Sequence, residues 1–162
     1  MSATKPWVAL TLDDLRPYLT QDQQNKTDDA TLDPTFAQCF AQVWPDVAAE
    51  VRSAVASNPR NTLSKTASSV PPELRRTAAL LAIDALSEQF STSTPLTPNQ
   101  VEKLKSAKER LEAVRDWTDK GKQFLVSAPD DPETEPSMVY GPTAKVVSGE
   151  DRLLTRESTR SL

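Results

Sequence analysis

Apolar residues recur at helical spacing in four stretches of this chain, and after the fourth the pattern changes. Leu12, Leu15 and Leu19 share one face of a short first helix. Thr11 is placed as its cap, Asp13 and Asp14 suit the positive end of the helix dipole, and Pro17 limits or bends it. Residues 21–31 are polar and rich in breakers, so the pattern predicts a loop there. Asp33-Pro34 reads as an N-cap with proline at the first helical position. Beyond it, Phe36, Phe40, Val43, Val47, Val51 and Val55 form the stripe of an amphipathic helix. Pro45 interrupts that stripe and predicts a kink or a division into two helices. The string Asn58-Pro59-Arg60-Asn61 closes the segment, and residues 62–69 are Ser/Thr-rich and loop-like.

The third long pattern opens on Val70-Pro71-Pro72-Glu73. Leu74, Ala78, Leu81 and Ala85 follow on one face, with Leu80, Ile83 and Leu86 beside them. So wide an apolar arc predicts a central helix buried on more than one side. Asp84 falls within that arc, where a carboxylate calls for a Lys or Arg on a neighbouring helix. Thr97-Pro98-Asn99-Gln100 is a capping box with proline at the first helical position, a specific start signal. Val101, Leu104, Leu111, Val114 and Trp117 mark the inward face of that last helix. Lys103, Lys105, Lys108, Glu109, Arg110 and Glu112 mark a solvated one, and Gly121 is a natural left-handed stop. The fold class expected is all-α: a small four-helix bundle over residues 1–126, followed by a linker and a long, mostly extended arm.

The linker, residues 127–136, is acidic and spaced by Pro129, Pro132 and Pro136. The arm, residues 137–162, holds Met138, Val139, Tyr140, Val146 and Val147, which suggest short β pieces near 138–147. It ends in Asp151-Arg152-Leu153-Leu154-Thr155-Arg156-Glu157-Ser158-Thr159-Arg160-Ser161-Leu162. Ordering it costs about 1–2 kcal/mol per residue in backbone entropy. Its large apolar groups return roughly 1.5–3 kcal/mol each if fully buried. The two sums nearly cancel, so the arm is expected to order only on a partner surface. The pattern of Leu153 and Leu154 among Arg152, Arg156 and Arg160 suits docking better than solubilising.

Composition narrows the chemistry. The chain has no histidine, so no imidazole serves as base or metal ligand. Its three glycines are too far apart to build a phosphate-cradling loop. The single cysteine, Cys39, excludes an internal disulfide and a thiolate metal cluster, and its neighbours predict a buried, inert thiol. Asp84 and Asp116 are the carboxylates one would test for acid–base work, but no pair carries a pocket signature. The expectation is no enzyme, no cofactor and no metal. A net charge of −4 argues against a dedicated nucleic-acid binder. No segment approaches eighteen apolar residues in a row, so no membrane span is expected, and the N-terminal residues lack the apolar core of a signal peptide. A cytoplasmic origin follows as an expectation.

Three strings carry a family resemblance. Val70-Pro71-Pro72-Glu73-Leu74 with the Ala-rich apolar sequence behind it resembles the Mu-like tailed-phage family of head-completion, or head–tail adaptor, proteins. So does the helix ending Ala113-Val114-Arg115-Asp116-Trp117-Thr118-Asp119-Lys120-Gly121-Lys122. The closing string from Asp151 to Arg160 is similar to that family's arm. The resemblance covers mainly residues 70–125 and 145–162. The segment 21–35 is less compact than the family's first loop, and the linker is longer. The resemblance implies a dodecameric ring beneath the portal protein, at the head–tail interface of a virion. A tail, stopper or tail-terminator protein would sit on its far face, and DNA would pass through without specific binding. It places the portal-docking residues in the arm: Arg152, Leu153, Leu154, Arg156, Arg160 and Leu162. An acidic protein suits such a channel, because a negative lumen lets phosphate pass without sticking. The alternative reading is a non-viral helical interaction module whose C-terminal tail binds one partner.

Overall fold

The computed structural model describes residues 6–32, 34–89, 95–116 and 125–133, and within them the chain is all-α. Five α-helices follow in order: α1 (Leu12–Leu15), α2 (Gln21–Thr27), α3 (Phe36–Ala56), α4 (Arg75–Gln89) and α5 (Pro98–Arg115). Single 3₁₀ turns extend α1 through Arg16–Tyr18 and lead into α4 through Pro72–Leu74. The described residues contain no strand, only two isolated bridges, Val8 with Val70 and Ser64 with Pro132.

Helix α4 is the centre. It packs against α5, α3 and α1, and Thr77 through Ile83 together with Leu86 are all buried. A helix apolar nearly all round must be covered on several sides, as its wide arc predicts. Helix α3 lays Phe36, Phe40, Val43, Val47, Val51 and Val55 against it, with Cys39, Trp44, Ala48 and Ala54 filling the same stripe. The rings of Phe40 and Trp44 stack at 5.9 Å between centroids. From α5, Leu104, Ala107, Leu111 and Val114 complete the core.

Four expectations are corrected. Residues 21–27 are a helix rather than a loop: Thr20 accepts from the Gln23 backbone N–H at 3.3 Å, and Gln23 Oε1 accepts from the Thr20 N–H at 2.9 Å. Helix α3 starts at Phe36 with Thr35 as its cap, through the same reciprocal bonds with Gln38, and so later than the Asp33-Pro34 reading. Pro45 does not divide α3, which runs unbroken for 21 residues. Pro45 itself is solvent-exposed, while Val43, Trp44, Val47 and Ala48 on either side are buried and hold the helix together across it. Val101 is 51 % exposed, and Gln100 and Ala107 take inward positions instead.

The role of Gln100 explains the polar helix α2. Gln23 and Gln100 are the third helical residues of α2 and α5, each closing its own capping box, and both are buried. They also bond each other: Gln100 Nε2 donates to Gln23 Oε1 at 2.8 Å and to the Tyr18 carbonyl at 2.9 Å. Two helix N-termini are thereby joined through one amide pair. This satisfies groups whose burial without partners costs roughly 1–3 kcal/mol each. Asp33, Trp117, Gly121, the candidate β pieces and the arm lie outside the described residues.

Candidate functional site

The feature that bears on function is the corner where the chain passes from the helical body towards its arm. Residues 125–133 form an extended strap laid against the loop after α3 and the segment before α1. Backbone pairing sets its register: the Lys65 N–H donates to the Asp131 carbonyl at 2.9 Å, and the Glu133 N–H to the Leu63 carbonyl at 2.6 Å. Side chains then fix it. The Asp131 carboxylate accepts from the hydroxyls of Ser64, at 2.6 Å, and Thr66, at 3.0 Å. Asn61 Oδ1 accepts from the Val126 N–H at 3.1 Å, and the Trp7 indole N–H donates to the Ser127 carbonyl at 2.7 Å. The Glu73 carboxylate accepts from both the N–H and the hydroxyl of Ser127. Pro129 is buried, whereas Leu125 is 53 % exposed.

Arg52 builds the body's side of this corner. Its side chain leaves α3 only 12 % exposed and donates to the carbonyls of Ser64 at 2.8 Å, Thr66 at 3.0 Å and Ser69 at 3.4 Å. The planar guanidinium, with five donors in a fixed fork, suits three converging carbonyls as an ammonium would not. The same group lies 5.8 Å from the Trp7 ring centroid and 3.8 Å from a Glu133 oxygen. Trp7 is held in turn because Val8 and Val70 exchange both backbone hydrogen bonds, at 3.2 and 3.0 Å. The residues before α1, the loop after α3 and the strap thus meet on one arginine.

Electrostatics reinforce the strap. The Ser64 hydroxyl bond holds the Asp131 carboxyl below its ordinary value of 3.8; slight desolvation opposes this, and the Thr66 bond adds to it. Elsewhere on the body, partial burial pushes the Asp14 carboxyl up. Bonds from the Thr11 N–H, from Arg75 and from the Thr11 hydroxyl outweigh that and leave it lowered.

A second feature is a groove of about 290 Å³ between α3, α4 and α5, carrying Glu50, Asp84, Glu88, Glu112 and Lys108 over Leu81 and Leu111. Asp84 pairs with Lys108 on α5 at 2.9 Å, the neighbouring-helix cation its position calls for. Glu112 pairs with Arg115 at 2.7 Å. Asp116 caps the end of α5 and is not among the residues lining the groove, so the two carboxylates singled out for acid–base work are not brought into one pocket. Among the described residues no group of three or more His, Cys, Asp and Glu is placed to hold a metal ion, and no helix is long and apolar enough to cross a membrane. Cys39 is buried within α3.

The docking residues Arg152, Leu153, Leu154, Arg156, Arg160 and Leu162 lie outside the described residues. The residues that anchor the strap (Trp7, Arg52, Ser64, Thr66, Glu73 and Asp131) carry no motif. The signal available for them is compositional: a hydroxyl-rich stretch at 62–69 supplies the Ser64 and Thr66 donors, and an acidic, proline-spaced stretch beginning at 128 supplies the Asp131 acceptor. Comparison with protein-family models, with curated proteins and with solved structures finds no match.

Proposed function

We propose that this protein is a structural head–tail connector, or adaptor, of a tailed bacteriophage. In this reading the helical body forms the wall of a dodecameric ring between the portal protein and a tail, stopper or tail-terminator protein. The mostly extended arm docks into the portal. DNA passes through the ring without specific binding. The protein is no enzyme, needs no cofactor, works in the virion neck and assembles in the host cytoplasm.

The observation that carries this reading is the order of its parts. The string from Val70 to Leu74 leads into the buried central helix, α5 packs on that helix, and the strap then delivers the chain to a tail with three regularly spaced arginines and three leucines. Arginines pair bidentately with carboxylates and leucines fill pockets, so the arm suits a partner surface with both. An arm tethered at a defined point on a rigid body presents every copy in a ring to its partner in the same way, and repetition multiplies weak contacts.

Electron microscopy of the protein alone and mixed with a portal protein of a Mu-like tailed phage tests this. Rings seated on portal vertices are the expected result. A protein that stays monomeric in the presence of portal, or binds one partner in a one-to-one complex, returns the chain to the non-viral interaction module.

A further inference from the structure

We propose that residues 125–133 are a releasable clasp, held by a polar register centred on Asp131 and Arg52, whose opening frees the chain from the body along that segment. Three observations carry it.

The clasp is fastened mainly by hydrogen bonds, with Val126 half-buried against the core as its one large aliphatic contact. Asp131, Ser127, Val126 and Glu133 make those bonds, Pro129 is the buried side chain, and Leu125 is exposed. Hydrogen bonds exchanged for water contribute little net free energy each, and they offset an ordering cost that grows with every residue held. An extended segment fastened in this way opens far more readily than a helix with an apolar face.

The body's half of the contact does not depend on the strap. Arg52 holds the carbonyls of Ser64, Thr66 and Ser69, and Val8 holds Val70, all within the body itself. When the clasp opens, this framework stays, and the uncovered donors and acceptors at Trp7, Asn61, Leu63 and Lys65 lie at a surface that water can reach. The groove is therefore ready to receive the strap again.

The end of α5 and the start of the strap are pinned to one corner. The Ser57 hydroxyl donates to the Arg115 carbonyl at 2.9 Å, and Asn61 accepts from the Val126 N–H, so the end of α5 and the start of the strap are fixed four residues apart on the body. Breaking the second contact leaves the first intact. The tether then gains the nine residues of the clasp, roughly 30 Å of extended chain at about 3.3 Å per residue. That consequence for reach rests on the docking reading above; the clasp does not.

Amide hydrogen exchange on the full-length chain tests it without any partner, so its failure and that of the connector reading are distinguishable. In the unaltered protein the Lys65 and Glu133 amides are expected to exchange through a local opening that depends weakly on denaturant. The Val51 and Leu81 amides should exchange only through global unfolding. Asp131→Ala is expected to speed exchange at Lys65 and Glu133 at least tenfold and to leave Val51 and Leu81 within twofold. The proposal is overturned if all four amides share one opening in the unaltered protein, or if Asp131→Ala leaves the first pair unchanged. Should that variant fail to fold, the unaltered protein decides the matter alone.

Discussion

Between α3, α4 and α5 the contacts are made by Val51, Val55, Leu81, Leu86, Leu111 and Val114, side chains with no directional requirement beyond shape. At the corner that holds residues 125–133, the contacts are made by Arg52, Asp131, Ser64, Thr66, Trp7 and Glu73, through bonds that each need a particular donor and acceptor. Apolar burial tolerates substitution of similar volume and fixes a fold. A polar register tolerates little and fixes a position. The helices therefore give the molecule its stability, and the corner gives its arm an address. In the connector reading those are the two things required: a wall that does not change and a tether whose origin is defined.

Substitutions should separate the two regions. The largest effect is expected in the core. Leu86→Ala, at a position 1 % exposed on the central helix, should cost about 2–5 kcal/mol in urea unfolding, through lost transfer energy and the cavity left behind. Arg52→Ala comes next, at about 1.5–3 kcal/mol, because it strips three carbonyls of a charged donor. Arg52→Lys should recover little, since a point charge cannot serve three acceptors, and Trp7 fluorescence should report the loss of its guanidinium neighbour. A loss on Arg52→Ala no greater than at an exposed position such as Lys105 would break the distinction between the two regions. Thr97→Ala should cost about 1 kcal/mol by removing the α5 cap, with thermal unfolding as the readout.

Acid should act last and most locally. Asp131 and Asp14 both have carboxyls lowered from 3.8, so each contributes stability that is fully present above that value and is lost as pH falls through the folded one. Between about pH 5 and pH 2, strap amides should lose protection before the core does, and Asp131→Asn should flatten that dependence. Strap protection unchanged down to pH 2 would mean that the carboxylate does not hold it.

The helical half of this structure was legible because its signals are periodic or short-range. The α3 stripe, the capping box at Thr97 and Gln100, the wide arc of α4 and the demand of Asp84 for a cation all rest on residues within one helix or on simple charge balance. Helix α2 was hidden for a different reason. Its box, Thr20 with Gln23, has the same form as the one at Thr97, but the sequence behind it is polar. What holds it is a buried amide pair to Gln100, 77 residues away, which periodicity does not register. Of the two outcomes expected at Pro45, division into two helices does not occur, since burial on both sides of it outweighs one missing hydrogen bond on an exposed face. The strap was hidden as α2 was, because its bonds reach from residues 126–133 back to 7 and to 61–73, and donor–acceptor complementarity between distant loops leaves no spacing to count.

The measurement that bears most directly on the account is co-purification of the portal protein with the full chain and with a chain ending at residue 144. Both should be equally helical and equally stable, because the core of the described residues is built between Trp7 and Val126, and only the full chain should retain portal. Equal retention by the shortened chain would contradict it, and so would a shortened chain whose helical body no longer folds.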